Sequence, residues 1–75
     1  MRLDEAAFDA PVRVAEILSE DSVELARLSA LGLRAGAVVV KLMPTPLRDP
    51  VSCLVGSQLL ALERRLLRRV RVDAA

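Results

Sequence analysis

The 75-residue sequence predicts a mainly β fold: short strands, one inserted α-helix and a short helical turn before the last strand. Three observations carry this expectation. Short apolar runs alternate at period two and are separated by glycine and proline turn signals. One segment, residues 21 to 32, has a helix start, helical spacing of leucines and a helix stop. No apolar run approaches the roughly 20 residues that a membrane span needs, the best being Ala35 to Val40, ended by Lys41.

Residues 1–11 show no clear period and are expected to form a lead-in to a single domain covering 1–75. Val12-Arg13-Val14 alternates, then the phase slips so that Glu16 stands where an apolar residue is due and Ile17 takes over. A strand with a bulge near Ala15 explains the slip. Asp21-Ser22-Val23-Glu24 has capping-box spacing, with Asp21 serving the third residue's N–H and Glu24 reaching back. Leu25, Leu28 and Leu31 follow at helical spacing. Gly32 then stands where a Schellman ending needs positive φ, with Leu28 and Leu33 as its apolar pair.

Gly36 opens a strand from Val38 to Met43, with Val38, Val40 and Leu42 on one face and Val39, Lys41 and Met43 on the other. Pro44, Pro46 and Pro50 cannot all sit in a ladder, so residues 44–50 are expected to be a loop. Val51, Cys53 and Val55 share one face of the next strand, and Gly56-Ser57 turns the chain into a partner strand ending at Leu62. The tail reads two ways. Leu59, Leu62, Leu66 and Val70 fit a basic amphipathic helix, whereas Val70-Arg71-Val72 alternates like a strand. Strand, helical turn over 63–68 and strand is the preferred reading.

Composition excludes several classes of chemistry. There is no histidine, so the commonest general base and metal ligand is missing. Cys53 is the single cysteine, which excludes an internal disulfide; it is expected to be a buried small hydrophobe. Phe8 is the one aromatic residue, too little for a base-stacking surface. No phosphate-binding glycine loop is present, the serines have no histidine to activate them, and Lys41 is expected at a solvated strand edge. No catalytic residue, cofactor or metal site is therefore assigned. Met1-Arg2-Leu3-Asp4-Glu5 lacks the basic-then-apolar layout of a signal peptide, so a cytoplasmic location is expected. The net charge of +1 is uneven: residues 1–24 carry −5 and residues 25–75 carry +6. Such polarity favours a charged partner, although solvated faces that keep an aliphatic domain soluble have the same pattern.

Leu28, Leu31-Gly32-Leu33, Gly36, Pro46-Leu47-Arg48-Asp49-Pro50-Val51, Gly56 and Leu62, with Val70 and Val72, form an ordered pattern over roughly residues 12–72. In this pattern the chain resembles the bacterial ferrous-iron transport protein A family, FeoA. Arg48 departs from it by replacing a glycine, Leu67 by replacing a small alanine, and Glu63 by replacing a basic residue. The resemblance implies a small SH3-like β-barrel with one inserted helix. It further implies a cytosolic, non-enzymatic accessory protein of ferrous-iron uptake, docking to the cytoplasmic GTPase part of the membrane transporter FeoB. Leu47, Arg48, Arg64, Arg65 and Arg68 are the residues expected to dock. A nucleic acid or a membrane surface met by the Arg-rich tail is the alternative. Nucleic acid is the weaker partner because base contacts lack aromatics.

Overall fold

The computed structural model describes residues 1–42 and 49–75. A 3-10 turn, Leu3–Glu5, precedes β1 (Val12–Ile17), α1 (Ser22–Ala30), β2 (Val38–Lys41), β3 (Val51–Val55), β4 (Gln58–Leu62), α2 (Arg64–Leu67) and β5 (Val70–Ala74). The strands form one antiparallel sheet in the order β4-β3-β2-β1-β5. The fold is thus mainly β with two helices, as the sequence predicts. The sheet stays open between β4 and β5, and α2 links those two edges.

Period-two alternation decides which face each strand buries. Val12 and Val14 of β1, Val51, Cys53 and Val55 of β3, and Val70 and Val72 of β5 all point into one core. The expected bulge is present: Val14 pairs with Val72, Glu16 with Arg71, and the register shifts between them. Two-residue spacing at Gly56-Ser57 closes the β3–β4 hairpin, with Val55 opposite Gln58. Residues 57–72 are strand, helical turn and strand, so the continuous amphipathic-helix alternative is not realised. Leu66 and Leu67 of α2 are both buried, and the core takes the larger Leu67 side chain.

The helix ends follow from their residues. Asp21 caps α1 by accepting from the N–H groups of Val23 and Glu24, at 3.0 and 3.1 Å. The reciprocal half of the expected capping box is replaced: the Asp21 N–H donates to the Ser19 hydroxyl at 3.2 Å, so Glu24 is not needed there. At the other end the Gly32 N–H donates to Ser29 and the Leu33 N–H to Leu28, at 3.0 and 2.9 Å. Gly32 has φ +96°, and Leu28 and Leu33 are buried beneath it. This is the Schellman ending that the sequence predicts.

Two expectations need correction. The N-terminal segment is more than a lead-in: Leu3 and Ala6 belong to the core, and Met1 exchanges backbone hydrogen bonds with Val72. Its single 3-10 turn is too short to show a period in sequence. Lys41 is not solvated. It shares the inward face of β2 with Val39 and is 4% exposed. The N-terminal segment covers it: its amine donates to the Asp4 carbonyl at 3.1 Å and lies 4.7 Å from the Phe8 ring centroid. Met43 and the expected loop residues 44–48 lie outside the described residues.

Candidate functional site

Among the predicted docking residues, Arg64, Arg65 and Arg68 are brought together by α2 and its C-cap, while Leu47 and Arg48 lie outside the described residues. Spacing of three and four residues on one helical turn puts the three arginines side by side. Asp49, from the Pro-Leu-x-Asp-Pro segment, fixes the start of the turn: its carboxylate accepts from the Arg64 N–H at 3.1 Å. The N-cap residue Glu63 uses its own side chain differently, pairing with the Arg65 guanidinium at 2.9 Å. Arg64 is half-buried, whereas the Arg65 side chain is 68% exposed and Arg68 is also exposed. The surface Glu63–Arg65 pair contributes little stability on its own and leaves Arg65 available to a partner.

The uneven charge seen in sequence is partly matched within the fold. Arg71 of β5 pairs with Glu16 of β1 at 2.8 Å. Arg65 lies close enough to Glu24 of α1 for that carboxylate to help hold its guanidinium in the charged form, after the stronger effect of Glu63. Glu20, Asp21 and Glu24 share one surface recess with Arg65 and Arg69. The acidic start of α1 therefore faces the arginines of the tail.

A second feature was not foreseen. A groove of about 320 Å³ runs between α1 and the β4–α2 segment. Its floor is Leu28, Leu31, Leu60, Leu62 and Leu66, and its rim holds Glu24, Arg27, Glu63 and Arg65. The signal available in sequence is the run from residue 50 to residue 62, which contains no charged residue.

Within the β2–β3 ladder a buried amine lies beside a buried thiol. Cys53 stands opposite Lys41 in the β2–β3 register and is fully buried. Burial pushes its thiol up to about 11, against the opposing pull of the Lys41 charge, so the thiolate needed for ligation or attack is scarce at neutral pH. Burial also holds the Lys41 amine below the usual lysine range, with the Asp4 charge opposing the shift. Among the described residues no three His, Cys, Asp or Glu side chains gather as a metal site.

The FeoA domain family profile matches residues 1–74. No curated protein matches the chain. Among solved structures, the FeoA protein of Chlorobium tepidum superposes with a TM-score of 0.87 and 30% identity over 99% of this chain and 70% of that one. The Stenotrophomonas maltophilia FeoA, solved in complex with zinc, has a TM-score of 0.79 and 28% identity, covering 97% of this chain and 89% of its own. That protein is described as a procaryotic SH3 domain protein and a proposed bacterial ferrous iron transport activating factor. Iron(II) transport protein A of Clostridium thermocellum has a TM-score of 0.86 and shares the fold at 21% identity. The match covers all of this chain, which spans 46% of that protein's length. The architecture built above is therefore SH3-like.

Proposed function

The chain belongs to the FeoA domain family, and on that premise we propose that it is a non-enzymatic accessory protein of ferrous-iron uptake. It docks to the cytoplasmic GTPase part of a FeoB-type membrane transporter and modulates it. The observation that carries this reading is the match across residues 1–74, coinciding with an exposed cluster of Arg65 and Arg68 on α2. Such a cluster suits an acidic patch on a protein partner, where rim charges raise the rate of encounter. Leu47 and Arg48, adjoining Asp49 in sequence, extend the proposed docking set. The protein works in the cytoplasm in this reading. No helix among the described residues is long and apolar enough to cross a membrane.

A pull-down with the transporter's purified cytoplasmic domain tests this. Wild-type chain is retained. The charge-reversed Arg64→Glu/Arg65→Glu/Arg68→Glu variant binds at least about tenfold more weakly. Because Arg64 is half-buried, the milder Arg65→Glu/Arg68→Glu variant is run beside it, with circular dichroism as a check on folding. Wild-type retention by both variants would remove the arginines from the site.

A further inference from the structure

The outer edge of β4 plays no part in the docking just described. Among the described residues β4 pairs with β3 alone and so ends the sheet. Soluble proteins usually blunt such an edge with a charge, a proline or a bulge. β4 has none of these: it reads Gln-Leu-Leu-Ala-Leu and runs in unbroken register with β3. The side chain of Leu59 is left 66% exposed, beside exposed Leu54.

The direction of the backbone groups follows from the neighbouring ladder. The Leu42 N–H donates to the Ser52 carbonyl at 2.9 Å, and the Gly56 N–H donates to Val38 at 3.0 Å. Ser52 and Gly56 therefore face β2, and by strand alternation Val51, Cys53 and Val55 face β4. Their register partners Leu62, Leu60 and Gln58 turn toward β3. The N–H and C=O groups of Leu59 and Ala61 consequently point outward.

We propose that this edge pairs with β4 of a second copy of the chain, antiparallel about a two-fold axis at Leu60, joining two sheets into one. In that register Leu59 stands opposite Ala61 of the second copy, and Ala61 opposite its Leu59. Their outward backbone groups then bond reciprocally. A large side chain meets a small one twice, and Leu60 meets its own counterpart, so one patch serves both sides of an isologous contact. Charge permits the second copy as occupant. The net charge of +1 gives two copies little mutual repulsion, and residues 51–62 carry no charge, so like edges meet without like charges between them.

Sedimentation equilibrium from micromolar to millimolar concentration tests the pairing. The wild-type mass is expected to rise with concentration toward twice the chain mass. Ala61→Pro removes one outward N–H and leaves the β3 ladder intact. Leu59→Lys places like charges at the contact. Each raises the dimer dissociation constant at least about tenfold, while Val23→Lys, at a 65% exposed position on α1, leaves it unchanged. Should Ala61→Pro fail to fold, the side-chain change at Leu59 decides alone. A wild-type chain that stays monomeric throughout overturns the proposal, as does a dimer indifferent to both edge variants. A monomer whose edge variants lose the transporter domain also overturns it, assigning the edge to a foreign strand.

Discussion

Lys41 and Cys53 face each other across β2 and β3, and they dominate the alkaline titration of this chain. There is no tyrosine or histidine, and Lys41 is the single lysine. Cys53 has a raised pKa, so the folded state holds its proton longer than the unfolded chain does. Its contribution is fully present below pH 9.0 and is lost as pH rises toward about 11. Lys41 has a lowered pKa, so folding gains as pH rises toward its ordinary value of 10.5, opposing the Cys53 loss. Urea unfolding from pH 9 to pH 11 should therefore show a steeper fall in Lys41→Met than in wild type. In Cys53→Ala the stability should instead rise over that interval. Equal slopes in all three proteins would contradict the buried placement of both groups. Cys53 was legible in the sequence because its neighbours Val51 and Val55 mark an inward face. Lys41 was not: alternation gave its face correctly, but the cover is an aperiodic segment more than thirty residues away in sequence.

Among the elements, α1 was the most legible because its boundaries are set by local chemistry. Asp21 satisfies two N–H groups at its start, and the Gly32 φ of +96° lets its end close onto Ser29 and Leu28. Asp21→Ala should cost about 1 kcal/mol through the lost cap. Gly32→Ala should cost a similar amount, about 1 kcal/mol, from backbone strain. A Cβ at that glycine meets nothing closer than the Val55 side chain at 4.0 Å, so no clash adds to the strain. Urea midpoints unchanged in either variant would show that these devices do not hold the helix. The β1 bulge and β3–β4 hairpin were also legible, since a phase slip and a two-residue turn are local signals. The Ser19 substitution for Glu24 was not, because both residues offer an oxygen and backbone geometry alone chooses between them. The same limit hid the capping of α2 by Asp49, a contact made across fifteen positions.

At the scale of the whole molecule, an aliphatic sheet left open between β4 and β5 is bridged by α2, which buries two leucines and displays arginines outward. The family pattern in the sequence made the SH3-like architecture legible, since its turn residues fall in the right order along nearly the whole chain. The candidate site was only partly legible. Sequence spacing gathered Arg64, Arg65 and Arg68, but the groove between α1 and β4 depends on how separate elements pack. The uneven charge now divides into an internal part, where Glu16 and Glu24 meet Arg71 and Arg65, and an outward part that includes Arg68. If the outward part recruits the transporter, binding must weaken as salt screens it over about 8 to 10 Å. Calorimetric titration of the chain into the FeoB-type cytoplasmic domain, at low and at physiological ionic strength, measures this directly. Saturable binding that weakens with salt is the predicted result; no binding at low ionic strength between two folded proteins would contradict it.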